Sequence, residues 1–328
     1  MDNFSNSAQP MQKHWLGLGF LALMALILGT IPVAVKQAML SISPALEFAL
    51  RFVIGALVLT PFARRPSLAL LRDGIGFGLL LAVIFAAATI GLETVAANRA
   101  SFFFALTMVF VTAFTMLFRG RRSWRQIWAT ALGFTGMVVM SWQTGEPVVG
   151  NIWLLVYGVA DAAYTICLEP VAPRHEPITF TVVQLWVVAF CGVAWALPDL
   201  PQQWAAVETN WLLLMYLGVV ATGLLMLLQI TAQRWIVAEQ AALLFALEPI
   251  CGGLFAFWLL GEVFSVQGWV GAVMILGGIG LILRETASPK QLVPVILLSD
   301  IGSDISSNID SGIDAESSQE DPELLEIS

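Results

Sequence analysis

The chain has 328 residues, of which 58% are hydrophobic and 12% charged, with a mean hydropathy of +0.83. Soluble proteins carry about 25% charged residues, so this composition excludes a water-soluble globular domain and indicates an integral helical membrane protein. The net charge of −8 belongs to the tail: from Glu285 onward ten acidic residues face Lys290 alone, while the preceding body holds 14 Lys and Arg against 13 Asp and Glu. It therefore implies nothing about acidic or basic substrates.

In chain order, residues 1–12 are polar and read as a disordered segment. They have no cationic region and no A-x-A site, so the first apolar run is expected to be retained. Run one spans about 15–36, with Pro32 inside and Lys36 at its end. Run two, about 44–62, starts at Pro44 and carries Glu47 and Arg51, whose i, i+4 spacing puts them on one helix face where they can pair. Run three, about 74–92, contains Gly74, Gly76 and Gly78, read as a small-residue face for close helix packing. Run four is about 97–118, and run five, about 126–142, follows the basic cluster RGRRSWR. Run six, about 150–168, carries Asp161, and run seven, about 178–197, carries Gln184. Runs eight, nine and ten cover about 210–230, 239–260 and 267–283. The predicted fold class is all-α, with about ten transmembrane helices. Tryptophans fall at several run ends (Trp15, Trp124, Trp142, Trp211, Trp235), as interfacial belts do.

Lys and Arg set the orientation. With the N-terminus inside, Arg64, Arg65, Arg72, Arg119, Arg121, Arg122, Arg125, Arg174, Arg234, Arg284 and Lys290 all lie inside. The outer loops then carry mainly Glu93, Glu146, Asp199, Glu208 and Glu262, with Lys36 and Arg99. This bias predicts that both termini are cytoplasmic. Cys167, Cys191 and Cys251 lie in apolar runs without CxxC spacing, and His14 and His175 have no metal-ligand spacing, so no metal site is expected.

The chain repeats itself. Phe104-Ala105-Leu106 aligns with Phe245-Ala246-Leu247, Thr107 with Glu248, Gly120 with Gly261, Trp128 with Trp269 and Gly136 with Gly277, all at an offset of 141 residues. Pro44 aligns with Pro177 and Arg51 with Gln184 at an offset of 133. The expected domains are a first repeat, 13–143, a second, 149–284, and an acidic, disordered cytoplasmic tail, 285–328. Five helices per copy is an odd number, so the two copies are inverted in the membrane, as in secondary transporters.

On the stretches RASFFFALTMVFVTAFTMLFRGRRSW and AEQAALLFALEPICGGLFAFWLLGEVFS, the chain resembles the EamA type of the drug/metabolite transporter superfamily, over roughly residues 15–284. It departs from that pattern at Met108, where first copies often have Pro, at Gly120-Arg121-Arg122, where Gly-Glu-Arg is common, and at Leu28-Gly29-Thr30, where Trp-Gly is usual. The resemblance implies an inner-membrane carrier of small metabolites, often amino acids moved outward, through a cavity between the repeats. It implies no cofactor and no ATP, and no Walker motif occurs. The partners expected are a small-molecule substrate and membrane lipid, with room for a homodimer and no role for nucleic acid.

Glu248, followed by Pro249, sits well inside an apolar run. A carboxylate at that depth costs several kcal/mol unless paired, protonated or facing water, and proline loosens the helix beside it. Glu248 reads either as a cavity residue for gating, substrate or proton, or as a structural hydrogen-bond partner. Asp161 with its neighbour Tyr164, Gln184, and Thr107 at the repeat position of Glu248 are further cavity candidates. Arg99, with Asn98, reads as an outer gate or an interfacial anchor. Glu47, Arg51, Pro249, Gly261 and Glu262 are read as structural, the last two as the turn and cap ending run nine. An uptake or drug carrier of the same fold is an alternative. An intramembrane enzyme would need a nucleophile or metal constellation, and neither HExxH nor GxSxG occurs. A structural or sensory protein would not need the inverted repeat.

Two outcomes follow. Cysteines placed at positions 121 and 146 and treated with an impermeant maleimide on intact cells should label at 146 only; labelling at 121 alone would reverse the orientation. Truncation after Glu285 should leave insertion and transport largely intact, since the repeat ends near Arg284; a collapse in expression would give the tail a structural role.

Overall fold

Serine side chains open several of the helices. In the computed structural model, which describes residues 5–118, 123–142, 148–168, 170–232 and 247–286, Ser43 Oγ accepts from Leu46 N at 3.3 Å and Ser67 Oγ from Leu70 N at 3.2 Å. Each hydroxyl satisfies an amide that the first helical turn leaves without a partner. Glu176 does the same for Ile178 N and Thr179 N, at 3.2 and 2.6 Å. Burial raises the pKa of that carboxyl, but the hydrogen bonds from Thr179 and Ile178 outweigh it and hold the group below its ordinary value.

The helices are α1 (Ser5–Ala38), α2 (Pro44–Leu59), α3 (Leu68–Thr94), α4 (Ala97–Ala105), α5 (Thr107–Phe118), α6 (Trp124–Ser141), α7 (Val148–Leu168), α8 (Pro177–Ala196), α9 (Leu200–Thr209), α10 (Trp211–Met215), α11 (Leu225–Ala232), α12 (Glu248–Leu260) and α13 (Val266–Thr286). A π-helical segment, Tyr216–Leu224, joins α10 to α11. No strand occurs among the described residues. Every apolar run falls on a helix or on abutting helical segments, three of them in run eight, with run nine represented by its described half. Among the described residues, seven spans have the length and hydropathy to cross a bilayer, and Ala22–Ala38 and Glu248–Leu260 are shorter apolar helices.

α1 is already helical from Ser5 onward. A helix nucleated in an apolar run extends outward at little cost per residue. The expectations for residues 119–122, Glu146, Arg234 and the tail beyond Thr286 lie outside the described residues. Two compact units divide the chain, Met1–Leu283 and Arg284–Ser328; of the second, only residues 284–286 are described, as helix.

Within the first unit, each contact between the copies has a counterpart with the copies exchanged. α1 packs on α11 and α12, as α7 packs on α3 and α5. α2 packs on the π segment, as α8 packs on α3. α2 meets α8, and α4 meets α12. α6 meets α13 through Gly136 and Gly271, close enough that a Cβ on Gly136 would lie 2.8 Å from the Gly271 carbonyl oxygen. This is an approximate two-fold exchange of two five-helix repeats. An odd number of crossings per repeat makes the two run oppositely through the membrane.

Glycines set how closely the copies approach, but not as the sequence suggested. A Cβ on Gly74 would meet Val183 at 2.7 Å, and one on Gly78 would meet Val187 at 2.7 Å and Gln184 backbone at 3.1 Å, so both lie against α8. Gly76 has nothing within 4 Å. The reading of all three as one face is therefore corrected, because on a helix only residues three or four apart share a face.

Gly78→Leu should lower the thermal stability of the detergent-solubilised protein by about 1–3 kcal/mol, the usual cost of overpacking, while Gly76→Ala should leave it unchanged. Equal melting of both variants would mean that α3 and α8 do not meet as described.

Candidate functional site

The two copies place a turn at equivalent positions. Run four is split at Leu106 (φ −65°, ψ −15°), and the next helix begins with Thr107. Its repeat equivalent, Leu247 (φ −78°, ψ −19°), precedes α12, which begins with Glu248 and has Pro249 in its first turn. The first-copy break forms without proline, since Met108 stands there. Interrupted helices are where transporters of inverted-repeat design hold their solutes.

Around these two helix starts the polar residues of several elements converge. Asp161 on α7 faces Thr107 and Tyr157, and Glu248 lies within electrostatic reach of both Asp161 and Tyr157. The hydroxyl of Thr107 is buried beside Asp161 and Tyr157. Tyr164 is within reach of Asp161 and donates to Gln184 Oε1 at 2.7 Å. Arg51 on α2 lies within reach of Tyr157 and Tyr216. On the same side of the cluster, the hydroxyls of Thr30 on α1 and Tyr216 share a hydrogen bond.

Glu248, Asp161, Thr107, Tyr157, Tyr164 and Tyr216 all keep part of their surface accessible. Asp161 and Glu248 nevertheless lie deep enough for desolvation to dominate their electrostatics. Deep position with residual accessibility is the combination expected of groups lining an internal space rather than packed into a core.

The π segment serves this cluster. Thr222 Oγ1 donates to Leu217 O, five residues back, at 2.9 Å, and accepts from Arg51 Nε at 3.1 Å. Widened turns of this kind are frequent at functional sites because they re-aim side chains and backbone. Glu47 is 0% exposed, and neither of its carboxylate oxygens has a hydrogen-bond partner among the described residues. The expected closed pair with Arg51 is therefore corrected. Shared helix face brings the two within electrostatic reach, but a hydroxyl on a second helix takes the guanidinium.

Arg99 and Glu262 belong to a different place. Glu262 accepts from Ala97 N at 3.0 Å and Asn98 N at 2.8 Å, and lies 3.6 Å from Lys36 Nζ, which also donates to Val95 O at 2.6 Å. Gly261, at φ +68°, makes the left-handed turn that ends α12 and aims Glu262 there. The turn also caps its own helix, Gly261 N donating to Phe257 O at 3.1 Å and Glu262 N to Ala256 O at 3.2 Å, while the Glu262 carboxylate caps the start of α4 in the other copy. Asn98, Arg99, Glu262 and Ser265 line a pocket of about 130 Å³, below the ~300 Å³ usual for a metabolite-sized ligand. Arg99 is 5% exposed and is buried rather than anchored at the lipid interface.

Sequence reading brought together Glu248, Asp161, Thr107, Tyr164 and Gln184. It missed Thr30, Tyr157, Tyr216 and Thr222. The signal for Tyr157 was its i, i+4 spacing to Asp161. Tyr216 and Thr222 had none, because their placement depends on the π segment.

Over 272 residues, 82% of this chain and 97% of the relative, the sequence is 25% identical to an "uncharacterized transporter" of Archaeoglobus fulgidus. A second "uncharacterized transporter" of that organism is 24% identical over 270 residues, 82% of this chain and 86% of its own length. A solved structure with a TM-score of 0.58 covers 82% of this chain and 97% of its own at 19% identity, which bears on the fold alone. The model of the EamA-like transporter family matches twice, at residues 15–142 and 148–284, once for each five-helix copy, and the chain belongs to that family of multi-pass membrane transporters of small solutes.

Proposed function

We propose that the chain carries small zwitterionic metabolites, amino acids or close analogues, outward across the cytoplasmic membrane by alternating access of the two repeats. The observation that carries this reading is the convergence of Arg51, Asp161 and Glu248 on Tyr157 beside the paired helix starts, with Glu47 as the carboxylate nearest Arg51 on its own helix. A free amino acid presents a carboxylate at one end of its Cα and an ammonium at the other. Arg51 offers a planar fork matched to the carboxylate. Asp161 and Glu248 offer acceptors for the ammonium, and Tyr157 and Thr107 supply hydroxyls between them.

The same charges suggest how occupancy drives the cycle. With the site empty, two carboxylates within reach of each other in a low-dielectric interior repel. An ammonium group, or a proton, relieves that repulsion. The loaded and empty carriers therefore differ in the energy of bringing α7 and α12 together, which is the differential interaction a ligand needs to shift a conformational equilibrium. The inward-facing termini follow the Arg distribution, and the inner-membrane location and the outward direction follow the family resemblance.

Purified protein in proteoliposomes, tested with a panel of radiolabelled amino acids with and without a pH gradient, examines the proposal. Glu248→Gln keeps shape and hydrogen-bonding capacity but removes the charge. It should cut flux at least about tenfold, equivalent to about 1.4 kcal/mol of barrier, at near-normal membrane levels. Arg51→Gln should raise the KM for amino acids while sparing amines that lack the carboxylate. Wild-type flux in Glu248→Gln would leave that residue structural, and equal loss for amines and amino acids in Arg51→Gln would remove Arg51 from the carboxylate end.

A further inference from the structure

The start of α4 has no cap of its own. Its N-cap residue is Ala96, which has no side-chain oxygen to offer, and the amides of Ala97 and Asn98 are satisfied by Glu262 from the second copy. From that point a seam between α1, α4 and α12 runs inward. Val33, Ala97 and Ala256 form a small buried cluster just below. Deeper, a Cβ on Gly252 would lie 2.2 Å from Ser101 Oγ, and one on Gly29 would lie 2.6 Å from Cys251 Cβ. Glu262 stands fourteen residues after Glu248, about 20 Å along a helix at ~1.5 Å per residue. The seam therefore spans most of the way from one membrane face to the central cluster, and it is closed.

We propose that Glu262, with Lys36, is the latch of the gate on that face, which the Arg distribution makes the outer one. The latch holds the seam shut by capping a helix that cannot cap itself. Opening the seam withdraws the carboxylate from the two amides. The adjoining pocket of about 130 Å³ lined by Asn98, Arg99 and Ser265 lets water take its place, which makes the release reversible. The repeat offsets put Glu169 at the position of Lys36 and Arg121 at that of Glu262, so the other copy carries the same two positions with the charges exchanged; those two residues lie outside the described ones. The latch rests on the alternating-access reading but not on the identity of the solute.

Native Cys251 reports on the seam. In a full-length Cys167→Ala, Cys191→Ala background, its labelling by an impermeant maleimide is followed on membrane vesicles of each orientation. From the Glu262 face, labelling should accelerate at least about fivefold in Glu262→Ala and by a smaller factor in Glu262→Gln, which keeps one acceptor. Ala96→Ser gives α4 a cap of its own. If Glu262 only stabilises α4, the Glu262→Ala, Ala96→Ser double variant returns to wild-type labelling, and the latch is overturned. If it is a latch, the double variant stays fast. Should Glu262→Ala fail to reach the membrane, Lys36→Gln is read in its place, with at least about twofold acceleration expected. Rates unchanged from that face in every variant that inserts would also overturn the proposal. Because labelling needs no substrate, loss of the zwitterion reading in the flux experiment and loss of the latch here are separate results.

Discussion

A hydrocarbon interior offers no water to a backbone or side-chain polar group, so each interruption of a helix inside the bundle has to be answered by another part of the protein. In this chain the answers come largely across the interface between the two copies. Arg51 of the first copy donates to Thr222 of the second, beside the π segment. Thr30 bonds Tyr216, and Glu262 of the second copy caps α4 of the first. The break at Leu106 turns Thr107 toward Asp161. Departures from regular helix thus do double duty. They supply polar groups at depth, and they tie the two halves together.

The two-fold exchange is one of shape, not of chemistry. Thr107 and Glu248 both begin a helix after an equivalent turn, yet only one is a carboxylate. Arg51 and Gln184 occupy equivalent positions, yet the arginine reaches to the π segment while the glutamine accepts from Tyr164. The side chains at these places differ between the copies, with Arg51 and the buried Glu47 on α2 and the carboxylates Asp161 and Glu248 on α7 and α12.

Close packing sets the scale of the movements. At Gly29, Gly78, Gly136 and Gly252 even one added methyl group would meet a neighbouring helix at 2.8 Å or less. Surfaces this close have few intermediate arrangements, because partial separation forfeits dispersion contacts without admitting water.

Much of this was legible in the residues alone. Ten apolar runs, the 141- and 133-residue offsets and the Arg distribution determine an all-helical membrane protein of two opposed repeats, because hydrophobic length and charge placement act locally and one segment at a time. The depth of Glu248 and Asp161 in apolar runs marks them for the same reason. What the linear pattern could not carry was the choice among partners. Arg51 had a carboxylate one turn away and took a hydroxyl on another helix. Glu262 stood beside its own helix end and capped a helix of the other copy. Gly74, Gly76 and Gly78 looked alike, and only two of them touch α8. Each of these depends on which helices lie side by side and on the widened turns of the π segment, and such distances are set by packing of the whole bundle rather than by any one stretch of sequence.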